Sequence, residues 1–94
     1  MTAETATPTP GRADRDTAFR LALERHRTGR LREAIDLYQR ILVADPAFAP
    51  AWINLGVALR ASGRIVASIG CLRRGIALKP DDAGALSNLG NALR

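Results

Sequence analysis

The chain predicts an all-α fold, a solenoid of stacked helical hairpins with about five helices. Three observations predict it. The sequence matches itself at an offset of 34 residues, each period carries apolar stripes at helical spacing, and a glycine or proline stands at every turn between them. At that offset Pro46 falls on Pro80, Gly29-Arg30 on Gly63-Arg64, Ile35 on Ile69, Arg40 on Arg74, and Leu21 on both Leu55 and Leu89. Between segments 49–60 and 83–94, eight of twelve positions are identical. A fixed period of this size marks supersecondary units stacked side by side.

The elements follow in order. Residues 1–13 are expected to form a tail, because MTAETATPTPG is built from Thr-Ala and Thr-Pro steps and reads as a disordered lead-in. It lacks the basic start and apolar run of a secretory signal, so a cytoplasmic location is expected by default. The array itself spans 14–94. Unit one, about 15–48, holds a helix from roughly Asp14 to Arg27, the turn Thr28-Gly29-Arg30, and a helix from Leu31 to Ala44 that ends at Asp45-Pro46.

Unit two, about 49–82, places Pro50 in a first helical turn, where a missing N–H costs nothing. Trp52, Leu55, Gly56 and Leu59 then recur at i, i+3, i+4 and i+7, one face of a helix. Ser62-Gly63 ends that helix. A second helix from about Ile65 to Leu78 is expected to bury Ile65, Ile69, Leu72 and Ile76. Lys79-Pro80 stops it, and Asp81-Asp82 caps the next. Unit three, 83–94, supplies one helix carrying Leu86, Leu89 and Leu93.

The glycines inside helices need reasons, since each costs about 1 kcal/mol relative to alanine. Gly56 and Gly90, with Ala22 in unit one, are expected where a helix closely approaches its partner. Gly75 is expected to admit the following helix. Gly70 has no such reason.

Composition narrows the function. Ninety-four residues make one small domain, and 47% apolar content is far above that of a disordered chain. Aromatics are only 4%, so the core rests on Leu, Ile, Val and Ala. No apolar run approaches bilayer length, and no membrane is expected as a partner. The net charge of +5 comes almost wholly from arginines scattered over both helix faces. Asp16 with Arg20, Arg32 with Asp36, and Asp36 with Arg40 read as ordinary surface pairs, so nucleic acid is the least favoured partner.

Chemistry is sparse. Cys71 is the sole cysteine, which excludes an internal disulfide and a thiolate zinc site, and it reads as a small helix hydrophobe. His26, between Arg25 and Arg27, reads as a solvated last-turn residue. Asp81 and Asp82 read as a helix start rather than a metal site. No catalytic constellation, cofactor or metal is expected.

These residues resemble the tetratricopeptide repeat family, whose pattern is W-x2-L-G-x2-Y, then A-x3-F, then P, over 34 residues. Unit two supplies Trp52, Leu55, Gly56 and Pro80, with Leu59 for Tyr, Ser68 for Ala and Leu72 for Phe. Unit one supplies Leu21, Ala34, Tyr38 in the Phe place and Pro46, with Ala22 for Gly and Arg25 for Tyr. Arg25 suggests a solvated outer face on the first helix. Unit three has Leu86, Leu89, Gly90 and Leu93. The resemblance covers about 15–94 and implies a right-handed superhelix that holds peptides on the concave surface lined by each unit's first helix.

It follows that Pro50, Ile53, Asn54, Val57 and Arg60 are expected on the groove in unit two. Their counterparts are Gly84, Ser87, Asn88, Asn91 and Arg94 in unit three, and Phe19, Arg20, Leu23 and His26 in unit one. Asn54 and Asn88 stand one period apart as a ladder, and a carboxamide both donates and accepts, as an extended peptide backbone requires. Alternatively the two asparagines bond each other and only stabilise the stack. Arg20, Asn54, Val57, Arg60, Asn88 and Asn91 are the candidate peptide contacts. The family's clamp for chaperone tails is not matched, because Phe19 and Leu23 stand where it needs polar groups.

The wording N-L-G-x-A-L resembles the repeats that precede the catalytic region of O-linked N-acetylglucosamine transferase. That likeness implies an alternative in which the chain is the arm of a larger glycosyltransferase that presents protein substrate. The last helix lacks the polar far side of a cap. The chain is expected to be the N-terminal part of a longer array or a truncated gene product, or else to cover itself by self-association through the open C-terminal helix.

Overall fold

A computed structural model describes residues 12–94. Among them are five α-helices and no strand: α1 (Arg12–Arg27), α2 (Leu31–Ala44), α3 (Ala49–Ala61), α4 (Ile65–Leu78) and α5 (Ala83–Leu93). The all-α stack of helical hairpins is therefore present. Helix α1 starts two residues earlier than the expected tail boundary, and the expected disorder of residues 1–11 lies outside the described residues.

Local chemistry sets the helix ends. Gly29 (φ +83°) and Gly63 (φ +88°) adopt the left-handed conformation that closes α1 and α3. At the first, Arg30 N–H donates to the Arg25 carbonyl at 2.8 Å and Gly29 N–H to His26 at 3.1 Å. At the second, Arg64 N–H donates to Leu59 at 2.8 Å and Gly63 N–H to Arg60 at 3.0 Å. Both turns thus satisfy two orphan carbonyls in the same pattern. Asp82 caps α5 by accepting the Ala85 N–H at 2.9 Å.

Packing gives the array its curvature. Helix α1 touches α3 and α3 touches α5, but no Cα of α2 lies within 8 Å of one in α4. The first helices of the units therefore crowd together while the second helices splay apart. The concave side belongs to α1, α3 and α5.

Two apolar clusters flank α3. One joins Ala22, Ala34, Tyr38, Ile41 and Leu42 to Ala51, Leu55 and Leu59. The other joins Ile53 and Leu72 to Ala85 and Ala92. Ile69 and Ile76 are half-buried beside the second cluster, but Ile65 is 39% exposed, contrary to the expectation that it would be buried. It opens α4 beside the Gly63 turn and is the first residue of its stripe.

The glycines separate by what surrounds them. A Cβ on Gly56 would lie 2.6 Å from Leu72 Cγ, so the expected close approach exists there. Gly90, one period on, has open space instead. A Cβ on Gly75 would meet Ile53 at 2.6 Å, so that glycine admits the preceding helix α3 and not the following one. Gly70 meets nothing within 4 Å. Gly70→Ala is therefore expected to raise stability by about 1 kcal/mol, as measured by urea unfolding, since only helix propensity changes. A loss of stability would mean that the site is not open.

Candidate functional site

Residues one period apart form rows across the three first helices. Arg20, Asn54 and Asn88 make one row, Leu23, Val57 and Asn91 the next, and His26, Arg60 and Arg94 a third. Successive first helices, which carry these rows, are in contact with one another. Arg20 and Arg60 are exposed, and Asn54, Val57, Asn88 and Asn91 are half-buried.

The Asn54 carboxamide is held from within its own helix. Its Nδ2 donates to the Pro50 carbonyl at 2.8 Å, and among the described residues no hydrogen bond joins it to Asn88. Pro50, in the first turn, is half-buried. With one amide N–H occupied, Oδ1 is left as an acceptor with no protein donor among the described residues.

Three expected groove residues do other work. Phe19 turns inward, its ring centroid 6.1 Å from that of Tyr38 and 5.1 Å from that of Phe48, the latter edge-on at 82°. Ile53 is buried over Gly75 in the second cluster. His26 is not a solvated residue: its Nδ1 lies 3.0 Å from the Tyr38 hydroxyl. Burial pushes the imidazole below its ordinary pKa, which keeps it neutral. Tyr38 itself carried a signal for this pairing, because a hydroxyl inside an apolar stripe needs a partner when it is buried.

The charge pattern also shifts. Arg25 binds Glu33 at 2.8 Å and Glu24 at 3.2 Å, tying α1 to α2 where a solvated face was expected. Asp16 is taken by Arg15 at 3.1 Å, and Arg15 also reaches Asp45 at 2.9 Å while its guanidinium stacks 4.1 Å from the Phe48 ring. The expected pair of Asp16 with Arg20 is therefore not formed. Of the three expected surface pairs, Asp36 with Arg40 forms, at 3.0 Å.

Burial raises the Cys71 thiol pKa, so the thiol stays protonated. Among the described residues no group of three His, Cys, Asp or Glu side chains could hold a metal ion, and no helix is long and apolar enough to cross a membrane.

A family model described as a tetratricopeptide repeat matches residues 26–93. The match is to the repeat in general and shows no likeness to glycosyltransferase repeats in particular. A search of curated proteins finds no match.

Proposed function

Because the chain belongs to the tetratricopeptide repeat family, we propose that it is a non-enzymatic scaffold that holds an extended peptide or protein segment on the face lined by α1, α3 and α5. The observation that carries this reading is the Asn54 carboxamide. One of its two N–H donors is engaged by the Pro50 carbonyl, which fixes the group and leaves Oδ1 to accept a peptide N–H. Asn88 places a second carboxamide one period on, half-buried like the first. Val57 and Asn91 offer the next row, and Arg20 and Arg60 stand exposed for acidic or carbonyl groups. Such contacts address the backbone of a bound segment more than its side chains.

The test uses peptides selected from a random display library on the immobilised wild-type array. Asn54→Ala/Asn88→Ala is expected to weaken them about thirtyfold, from roughly 1 kcal/mol for each of the two lost hydrogen bonds, with the circular dichroism unchanged. Unaltered affinity in that double variant would end the ladder reading.

A further inference from the structure

On the opposite, convex side the splayed second helices leave a cleft of about 390 Å³. Its floor is α3, through Trp52, Leu55 and Leu59; α2 contributes Leu42 and Val43, and α4 contributes Cys71. The volume lies within the range of clefts that hold ligands. Val43 stands 86% exposed at one wall, although nothing in α2 requires an aliphatic side chain in water there. The Trp52 indole N–H is already satisfied, donating to the Pro46 carbonyl at 2.8 Å. Its ring thus offers apolar surface alone.

The rim is cationic. Arg64 lines this cleft and also an adjoining one of about 230 Å³, which it shares with Arg32. The Arg74 guanidinium lies 5.3 Å from the centre of the Trp52 ring. Among the described residues, none of these three arginines has a carboxylate within 4.0 Å. An apolar floor edged by unneutralised guanidinium groups fits one kind of occupant best.

We propose that this convex cleft is a second docking site, independent of the concave face, that takes an acidic amphipathic helix from a protein partner. Its aliphatic stripe lies on Trp52, Val43 and Ala67, the lining that reaches the surface, and its carboxylates meet Arg64 in this cleft and Arg32 in the adjoining one. A helix suits the slot because it satisfies its own backbone, whereas an extended strand would lay unpaired N–H and C=O groups over an apolar floor. A nucleic acid would bring phosphates to that same floor.

Two synthetic helical peptides of about 15 residues test this. Both carry a leucine stripe, one flanked by glutamates and the other by lysines. The chain has one Trp and one Cys, and both line the cleft, so Trp52 emission and the alkylation rate of Cys71 report directly on its occupancy. The glutamate peptide is expected to shift Trp52 emission to the blue and to slow Cys71 alkylation. Arg32→Glu/Arg64→Glu is expected to weaken that peptide about tenfold and to favour the lysine peptide. Arg64→Gln serves as a milder variant should the double reversal disturb folding, and Asn54→Ala/Asn88→Ala is expected to leave binding unchanged. The proposal is overturned by equal responses to both peptides, by no response at millimolar peptide, or by a response to anionic lipid vesicles in place of the glutamate peptide.

Discussion

Replacing Tyr38 with alanine is expected to destabilise the chain by about 3–5 kcal/mol, enough to unfold much of a domain of ordinary stability. Tyr38 is fully buried in the first apolar cluster, on α2 against residues of α1. Its ring packs against Phe19, and its hydroxyl meets His26. Alanine would leave a cavity and an imidazole nitrogen without its partner. Tyr38→Phe keeps the ring and removes only the hydroxyl, so its cost should be nearer 1 kcal/mol. Denaturant unfolding separates the two. Equal losses in both variants would mean that the hydrogen bond, and not packing, dominates.

The same pair governs the response to pH. Burial pushes the Tyr38 hydroxyl from 10.0 up to about 12. Between those values the unfolded chain has released a proton that the folded chain still holds. The contribution is fully present below pH 10.0 and is lost as pH rises toward 12. His26 is shifted the other way, below its ordinary 6.5, by burial. Its contribution is present above pH 6.5 and is lost as pH falls through the lowered folded-state value. Thermal melts across pH are therefore expected to show a plateau between these windows. Tyr38 is the only tyrosine, so Tyr38→Phe should flatten the alkaline decline attributed to it and retain the acid one.

Leu72→Ala is expected to cost about 2–5 kcal/mol and to act locally. Leu72 is fully buried, and it fills the notch that Gly56 opens between α3 and α4. Beside it Ser68, also fully buried, donates its hydroxyl to the Gly56 carbonyl at 2.6 Å. In a stack where each unit contacts only its neighbours, weakening this contact should release α4 and α5 before α1 to α3. Amide exchange would show that order, and uniform loss of protection would contradict it.

Gly56→Ala probes the same notch from the other side. Its new methyl would meet Leu72 Cγ at 2.6 Å and the Ser68 carbonyl at 3.1 Å. Overpacking of about 1–3 kcal/mol should outweigh the gain in helix propensity. The two substitutions share one space, so their effects in the double variant should sum to less than the separate costs.

The helices and their ends were determined by the sequence itself. The period of 34 is legible in the self-match of the sequence, and the bounds of α2 and α4, the left-handed closures at Gly29 and Gly63 and the Asp82 cap rest on interactions within a few residues along the chain. Tertiary structure decided which neighbour each side chain meets. An apolar stripe states that a helix face is covered, but not which helix covers it. Gly75 therefore admits Ile53 of the preceding helix, His26 finds Tyr38, and Arg25 reaches Glu33. The convex cleft has the same origin. It exists because first helices pack closely while second helices diverge, a spacing set by how whole hairpins stack and by no single residue in them.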